Sequence, residues 1–281
     1  MTKSKRHLPV VPDDFKSPHL PTGLFSHSQY SLYKKCGKAY YFKYVMGFKA
    51  PMKAAPYKGI VIHDGAEFSL GKKKEKIAVS LEEAKAVVSD SFDRGKDDIE
   101  DWGEEDKTAG GAKDVTLLGY EAYHKSALPL MNPRAVEKAF AIRLGGTLPV
   151  IGYIDLIDTE KMFDDDMDPG VPVIADLKYS GSSWSQADAD KEPQFTLYSI
   201  AERIDKIRVD NVVPLKKGAV VKQLASSRTT NDKNILIEDY LETAELIRQG
   251  VFPKAPIDHW GCGPKWCDHW HRCRGKNLAD D

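Results

Sequence analysis

Cysteine is scarce: four residues in 281 are too few for a disulfide scaffold. Long apolar runs are missing as well. None approaches the roughly 18 uncharged residues that a membrane helix needs. The basic opening stretch, Met1 to Asp14, has no apolar core because prolines and two acids interrupt it, so it does not read as a secretory signal. The thiols are therefore expected in a reducing, cytoplasmic setting, with no membrane partner. No Gly-x-x-x-x-Gly-Lys-[Ser/Thr] run occurs, which excludes a P-loop motor within this sequence. Net charge is nearly absent too. Lys and Arg number 41 and Asp and Glu 42, leaving −1, and as a whole-chain figure that points to no polyanionic partner.

Divided along the chain, the charge is far from balanced. Residues 1–76 hold 15 Lys and Arg against 5 Asp and Glu, a net of +10, and the remainder carries −11. Such asymmetry suits either a polyanion contact on the N-terminal part or a solvated lysine face.

Pro9, Pro12, Pro18 and Pro21 predict a loose arm over residues 1–22. Ser26 or Ser28 can cap a helix running to about Val45, with Tyr30, Tyr33, Tyr40 and Tyr44 at near-helical spacing. That stripe reads as core or as a base-stacking platform. A second helix is expected from Gly59 to about Leu70. Ser80 with Glu83 marks a capping box for a third, ended by Gly95. Residues 96–113 read as an acidic surface loop, and Asp114 as the start of a helix stopping before Pro129.

From Arg134 the period changes to that of strands. Val136, Phe140, Ile142 and Leu144 share a face, and Gly145-Gly146 is a hairpin turn. Strands follow over Thr147–Ile157 and Val171–Tyr179, separated by an acidic turn at Asp164 to Asp168. Then come a helix from Gln194 to Arg203, strands near 209–213 and 219–224, and a helix from Ile235 to Arg248 closed by Gly250. The order predicts a mixed α/β fold without internal repeats. Three strands joined by short loops disfavour a doubly wound sheet.

Two of these strands carry charge where a half-buried sheet favours apolar side chains. Asp155 interrupts the run Ile151 to Ile157, and Asp176 and Lys178 interrupt Val173 to Tyr179. Residues two apart in a strand point the same way, so Asp176 and Lys178 share a face, and Asp155 can join them if the strands are neighbours. Two carboxylates are hard ligands for Mg²⁺ or Mn²⁺. A bound ion lowers the pKa of water and stabilises phosphoryl charge, while a lysine beside it orients the nucleophile. A structural salt bridge is the plainer reading of Asp-x-Lys alone. His63, at the end of Gly59 to His63, can offer a nitrogen ligand, with Glu67 one turn on. Gln194 and Tyr198, one turn apart, can hold a phosphate or a base edge.

The cysteines form one layout: Cys36 alone, then Cys262, Cys267 and Cys273. Four thiolates with none left over suit a [4Fe–4S] cluster or a structural Zn²⁺ site. His269 and His271 keep a mixed-ligand zinc site open.

In order, Gly-x-x-x-His, Gly-x-x-Asp, Asp-x-Lys and Gln-x-x-x-Tyr resemble the PD-(D/E)xK nuclease superfamily in its RecB-like exonuclease branch, over about Leu24 to Arg274. The resemblance implies a restriction-endonuclease-like mixed sheet flanked by helices. It also implies a Mg²⁺- or Mn²⁺-dependent nuclease acting on single-stranded DNA or DNA ends. By that likeness His63, Asp155 and Asp176 would be metal ligands, Lys178 the catalytic lysine, and Gln194 and Tyr198 the lining of the DNA path. The one-plus-three cysteine layout is similar to the iron–sulfur subgroup of that branch, which includes AddB-type subunits and CRISPR adaptation nucleases. A compact chain without a motor is similar to its phage-encoded members, acting in a host cytoplasm in replication, recombination or nucleotide salvage, with protein partners unspecified.

The expected layout is the arm (1–22) and one domain over 23–281. That domain comprises a helical part with the first cysteine (23–133), a sheet core (134–250) and a cysteine-rich segment (251–281). Two other classes remain open: a nucleic-acid-binding module on the same fold without turnover, and a zinc-stapled interaction domain whose Asp-x-Lys is a salt bridge.

Overall fold

A helix that should run unbroken from Ser26 to Val45 breaks at its cysteine. In the computed structural model, which describes residues 16–20, 22–161, 169–215 and 217–275, Ser26 does cap the first helix, its hydroxyl accepting from Gln29 N at 3.4 Å. Cys36 then turns extended, with φ −167° and ψ 109°. The cause is tertiary. A Cβ on Gly37 would lie 2.7 Å from Pro253 Cδ, and Lys38 N donates to Pro253 O at 3.1 Å. Docking against residues 252–253 outweighs the helical hydrogen bonds that the break gives up. Most of the arm expected over 1–22, and the acidic turn at Asp164 to Asp168, lie outside the described residues.

The chain order opens with β1 (Phe25–Ser26), α1 (His27–Lys35), α2 (Gly37–Tyr40) and a π-helical turn over Tyr41–Val45. Three long helices follow: α3 (Ala54–Lys74), α4 (Leu81–Gly95) and, after the short α5 (Gly103–Asp106), α6 (Ala109–Ser126). The strands β2 (Pro133–Leu144), β3 (Leu148–Glu160) and β4 (Val171–Tyr179) come next. Then follow α7 (Gln186–Lys191), α8 (Pro193–Glu202), β5 (Lys206–Leu215), β6 (Gly218–Ser227), α9 (Thr230–Arg248) and α10 (Trp270–Cys273). Strand order is β1-β3-β4-β5-β6, with β2 pairing β3. This is the mixed sheet with flanking helices expected of the α/β class.

The chain divides into two compact units. The first comprises Met1–Pro51, Ala139–Gly152 and Thr230–Asp281. In it β1 runs parallel to β3, with Phe25 opposite Val150. Tyr30, Tyr33 and Tyr40 are no more than 6% exposed, and Tyr30 stacks on Tyr240 of α9 at 4.0 Å. Of the two readings of the tyrosine stripe, these three rings take the core one.

The second unit comprises Met52–Lys138 and Tyr153–Thr229. Here β3 pairs antiparallel with β4, Leu156 facing Ala175. Strand β4 runs parallel to β5, and β5 antiparallel to β6; α7 and α8 make the crossover that a parallel pair requires. One face of β4 and β5 packs Ala175, Leu177 and Val212 with Val61, Ile62, Val88, Phe92, Tyr120 and Tyr123 of α3, α4 and α6. The Ser80–Glu83 capping box forms as expected. The expected loop over 96–113 is partly helical instead, and α6 starts at Ala109, five residues before Asp114. Thr108 caps it, its Oγ1 accepting from Gly111 N at 3.1 Å, and Ala112 is fully buried. That cap and that burial override the poor helix propensity of Gly110 and Gly111. α3 likewise extends beyond 59–70 at both ends; Pro56 lies in its first turn, where a missing N–H costs nothing.

Gly65 sets how closely α3 meets its neighbours, since a Cβ there would lie 2.4 Å from Val88 Cγ2 and 2.8 Å from Tyr120 Cε2. Replacing it by valine should cost about 2 kcal/mol, overpacking outweighing the gain in helix propensity. Urea unfolding of Gly65→Val checks this, and an unchanged midpoint would show that the packed face relaxes freely.

Candidate active site

The site is built on adjacent strands of the second unit. Ala175 and Leu177 are 1% and 4% exposed in the helix-covered core, so strand alternation turns Asp176 and Lys178 to the other face. One step beyond the Leu156–Ala175 pair, the antiparallel register sets Asp155 opposite Asp176. The neighbour condition that the sequence left open is therefore met. Leu177 N donates to Asp155 Oδ2 at 3.0 Å. Helix α3 brings His63 in, with Nδ1 at 3.5 Å from the same oxygen.

A carboxylate that the sequence reading did not single out completes this corner. Ligand atoms of His63, Glu137 and Asp155 lie within 4.8 Å of one another. Glu137 has φ +46°, a left-handed backbone that costs a side-chain-bearing residue energy and recurs at functional sites. Its sequence signal was an ordinary acid on a strand, and the backbone twist that aims it is invisible to residue pattern. Glu67 lines the same small cavity, with Tyr123 and Asp210.

Lys178 is the hub of the other corner. Its Nζ lies 2.7 Å from Asp176 Oδ2 and donates to Gln194 Oε1 at 2.9 Å. Gln194 Nε2 in turn donates to the Tyr198 hydroxyl at 2.5 Å. The ammonium also lies 5.8 Å from the Trp184 ring centroid and 5.6 Å from that of Phe195. Gln194 reaches the site because α8 starts at Pro193, with the Glu192 carboxylate accepting from Gln194 N. Tyr198 is 4% exposed and stands behind Gln194.

Burial and the neighbouring Asp176 push the Asp155 carboxyl up to about 6, against the lowering pull of His63, Lys178 and the Leu177 N–H. For Lys178, burial works against the charge, but Asp176 and Asp155 win and raise its pKa, so the ammonium persists. Burial, with Asp176 and Asp155 nearby, keeps the Tyr198 phenol neutral. Apart from the Lys178 ion pair, the buried Asp176 Oδ2 finds no hydrogen-bond donor. The His63 imidazole with the Glu137 and Asp155 carboxylates fits a hard divalent cation, and Asp176 on the neighbouring strand, outside that group, keeps an acceptor with unmet capacity.

The sequence reading also missed a buried charge network on the helix-covered face, whose Asp210 lines the same small cavity. Arg208 bonds Asp158 at 2.8 Å, Glu160 at 2.9 Å and Asp210 at 3.0 Å, and Asp158 accepts from Asn132 N.

In the first unit, Cys36, Cys262, Cys267 and Cys273 all line one cavity of about 130 Å³. Cys36 Sγ accepts from Ala255 N at 3.4 Å. Burial pushes the Cys267 thiol up, with Cys36 and Cys273 adding to the effect. Among the described residues, no three of these sulfurs lie within 4.8 Å of one another. They surround the cavity without gathering on one point, as four thiolates on one zinc do at about 3.8 Å apart.

A six-stranded mixed sheet flanked by helices, with Asp155, Asp176 and Lys178 on neighbouring strands, is the architecture of a restriction-endonuclease-like fold. The family model of the PD-(D/E)XK nuclease superfamily matches residues 24–274, and the chain belongs to that superfamily. A candidate exonuclease from Eubacterium rectale shares the fold, with a TM-score of 0.54 and 10% identity over 98% of this chain and 96% of that one. SSO0001 aligns over 88% of this chain and 95% of its own at 15% identity, but with a TM-score of 0.36, too loose to bear on this fold. No curated protein matches. Among the described residues, no helix is long and apolar enough to cross a membrane.

In the metal-free protein Asp155 holds its proton up to about pH 6, whereas the unfolded chain releases it near pH 4. Between those values the folded state binds more protons, so stability falls as pH rises, by ~3 kcal/mol at most. Urea unfolding with chelator across that window should show this slope, and Asp155→Asn should flatten it. A slope untouched by the substitution would mean the carboxyl is not perturbed.

Proposed function

We propose that this protein is a Mg²⁺- or Mn²⁺-dependent deoxyribonuclease of the RecB-like branch, an exonuclease acting on single-stranded DNA or DNA ends. The observation that carries the reading is the placement of Lys178, held charged between Asp176 and Gln194 beside a second carboxylate, Asp155. His63 and Asp155, with Glu137 beside them, would hold the ion, and the motif pattern adds Asp176 as a further ligand. When bound, the ion supplies Lewis-acid stabilisation of phosphoryl oxygens and a lowered pKa for water. Lys178 donates toward the attacking water and the developing negative charge, and its remaining N–H bonds are fixed by Asp176 and Gln194. Tyr198 holds the Gln194 amide, so the carbonyl oxygen rather than the NH₂ group faces the lysine.

The four cysteines would hold a [4Fe–4S] cluster. The reading is supported by the enclosure of one cavity by all four thiols, and the spread of the sulfurs counts against a single zinc ion. Such a cluster would tie residue 36 to residues 262–273 and close a very long loop, an entropic constraint on the unfolded chain. A cytoplasmic role in DNA recombination or replication, including in a phage-infected cell, agrees with this activity.

Degradation of a labelled oligonucleotide tests the site. Wild type should cut with Mg²⁺ or Mn²⁺ and stop with chelator, and Asp176→Ala and Lys178→Ala should each lose at least roughly 100-fold. Equal activity in the variants, or inert wild type with both metals, overturns the assignment. After anaerobic purification the protein should be brown, with iron and sulfide. A colourless protein with one zinc would replace the cluster by a zinc staple.

A further inference from the structure

Two rings flank the Lys178 ammonium, and they differ in their access to solvent. Phe195, its centroid 5.6 Å from Nζ, is fully buried. Trp184, at 5.8 Å, is partly exposed and packs on Phe195 with 6.1 Å between ring centroids. It is the one bulky side chain between β4 and α7, a stretch whose Gly181, Ser182 and Ser183 are exposed.

A buried amide holds this indole in place. Asn211 of β5 stands opposite Lys178 in the parallel register, so it lies on the site face, and it is fully buried. Its Nδ2 donates to Lys178 O at 3.2 Å and to Ser180 Oγ at 2.9 Å. Its Oδ1 accepts from Trp184 N at 2.8 Å. Lys222 of β6 donates to Trp184 O at 3.0 Å, and Ser185, the next residue, caps α7. A buried amide is tolerated where its hydrogen bonds are made, and all three of these go to the segment that carries Lys178 and Trp184. The indole is therefore fixed relative to the ammonium instead of riding on a loose loop.

A charged group with a fixed, solvent-reaching aromatic ring beside it suits a ligand that is an anion and a flat ring at once. In a nucleotide the phosphate and the base are one sugar apart, so a phosphate on Lys178 leaves its nucleoside within reach of Trp184. Bases inside a duplex are stacked on one another, whereas an unpaired base has a free face.

We infer that Trp184 is a specificity-determining residue of this site: the nucleobase adjoining the phosphate on Lys178 stacks on its indole. The inference rests on the deoxyribonuclease reading above and adds to it the residue that selects an unpaired base. Stacking of this kind tolerates any sequence, because every base has a π-face.

Cleavage of a labelled oligodeoxythymidylate of about 20 nucleotides with Mn²⁺, resolved bond by bond, tests the residue against a strand in which one nucleotide is abasic. Wild type should cut at the abasic nucleotide at least ~5-fold more slowly than at intact ones. Trp184→Ala should cut the intact strand more slowly by a similar factor and show no further loss at the abasic position. Trp184→Phe should keep most of the rate and of the abasic penalty. Wild type that cuts at the abasic nucleotide at full rate overturns the inference without any variant. So does a slowed Trp184→Ala variant that keeps the full penalty, since the ring then only shields Lys178. If wild type cuts neither strand, the catalytic reading fails, and fluorescence anisotropy with chelator decides the stacking site on its own. There wild type should favour oligodeoxythymidylate over a wholly base-free strand, and Trp184→Ala should shrink that preference at least ~5-fold. A preference that the substitution leaves unchanged overturns the inference.

Discussion

The antiparallel register of β3 on β4 is the constraint on which the candidate site depends. With Leu156 opposite Ala175, Asp155 falls opposite Asp176. A slip of one residue would turn every side chain of one strand to the other face. The register is held because the helix-covered face must keep Leu156, Ala175 and Leu177 in the core of α3, α4 and α6. The same packing that stabilises the sheet therefore forces two carboxylates together on its other face. That juxtaposition is unfavourable by itself, as the raised Asp155 carboxyl records. Lys178 offsets part of the cost, and a divalent cation would offset more.

On the helix-covered face a second set of charges is arranged differently. Arg208 lies opposite Ala175, and Asp210 opposite Leu177. The guanidinium is forked between Asp158, Glu160 and Asp210. Every donor with a partner there is committed to a fixed acceptor, whereas Asp176 Oδ2 is left with capacity. Buried ion pairs contribute little net stability. The Arg208 network cross-links side chains of β3 and β5.

In the first unit, geometry separates functions that composition runs together. The +10 charge of residues 1–76 and the tyrosine stripe occupy the same stretch of sequence, yet Tyr30, Tyr33 and Tyr40 are buried. Two of the lysines lie beside other rings instead: Lys38 over Tyr41 at 4.0 Å and Lys35 over Trp260 at 4.4 Å. Cys36 leaves the helix where Gly37 meets Pro253, and this turns its thiol into the cavity that Cys262, Cys267 and Cys273 also line.

Fold class, the strand carrying Asp176 and Lys178, and the Ser80–Glu83 cap can all be read from residue order alone. Each of these follows from short-range rules: a period of two along a strand, a side chain reaching its own helix end, a fixed interval between residues. Tertiary structure decided what those rules do not reach. Asp155 faces Asp176 because of a register set by the core. Glu137 joins His63 and Asp155 through a left-handed backbone that local pattern does not foretell. The helix ends at Cys36 because of a contact with Pro253, more than two hundred residues away along the chain. Thr108 starts a helix that its glycines disfavour. In each case packing between distant segments outweighed local propensity, which amounts to less than about 1 kcal/mol per residue for all but proline.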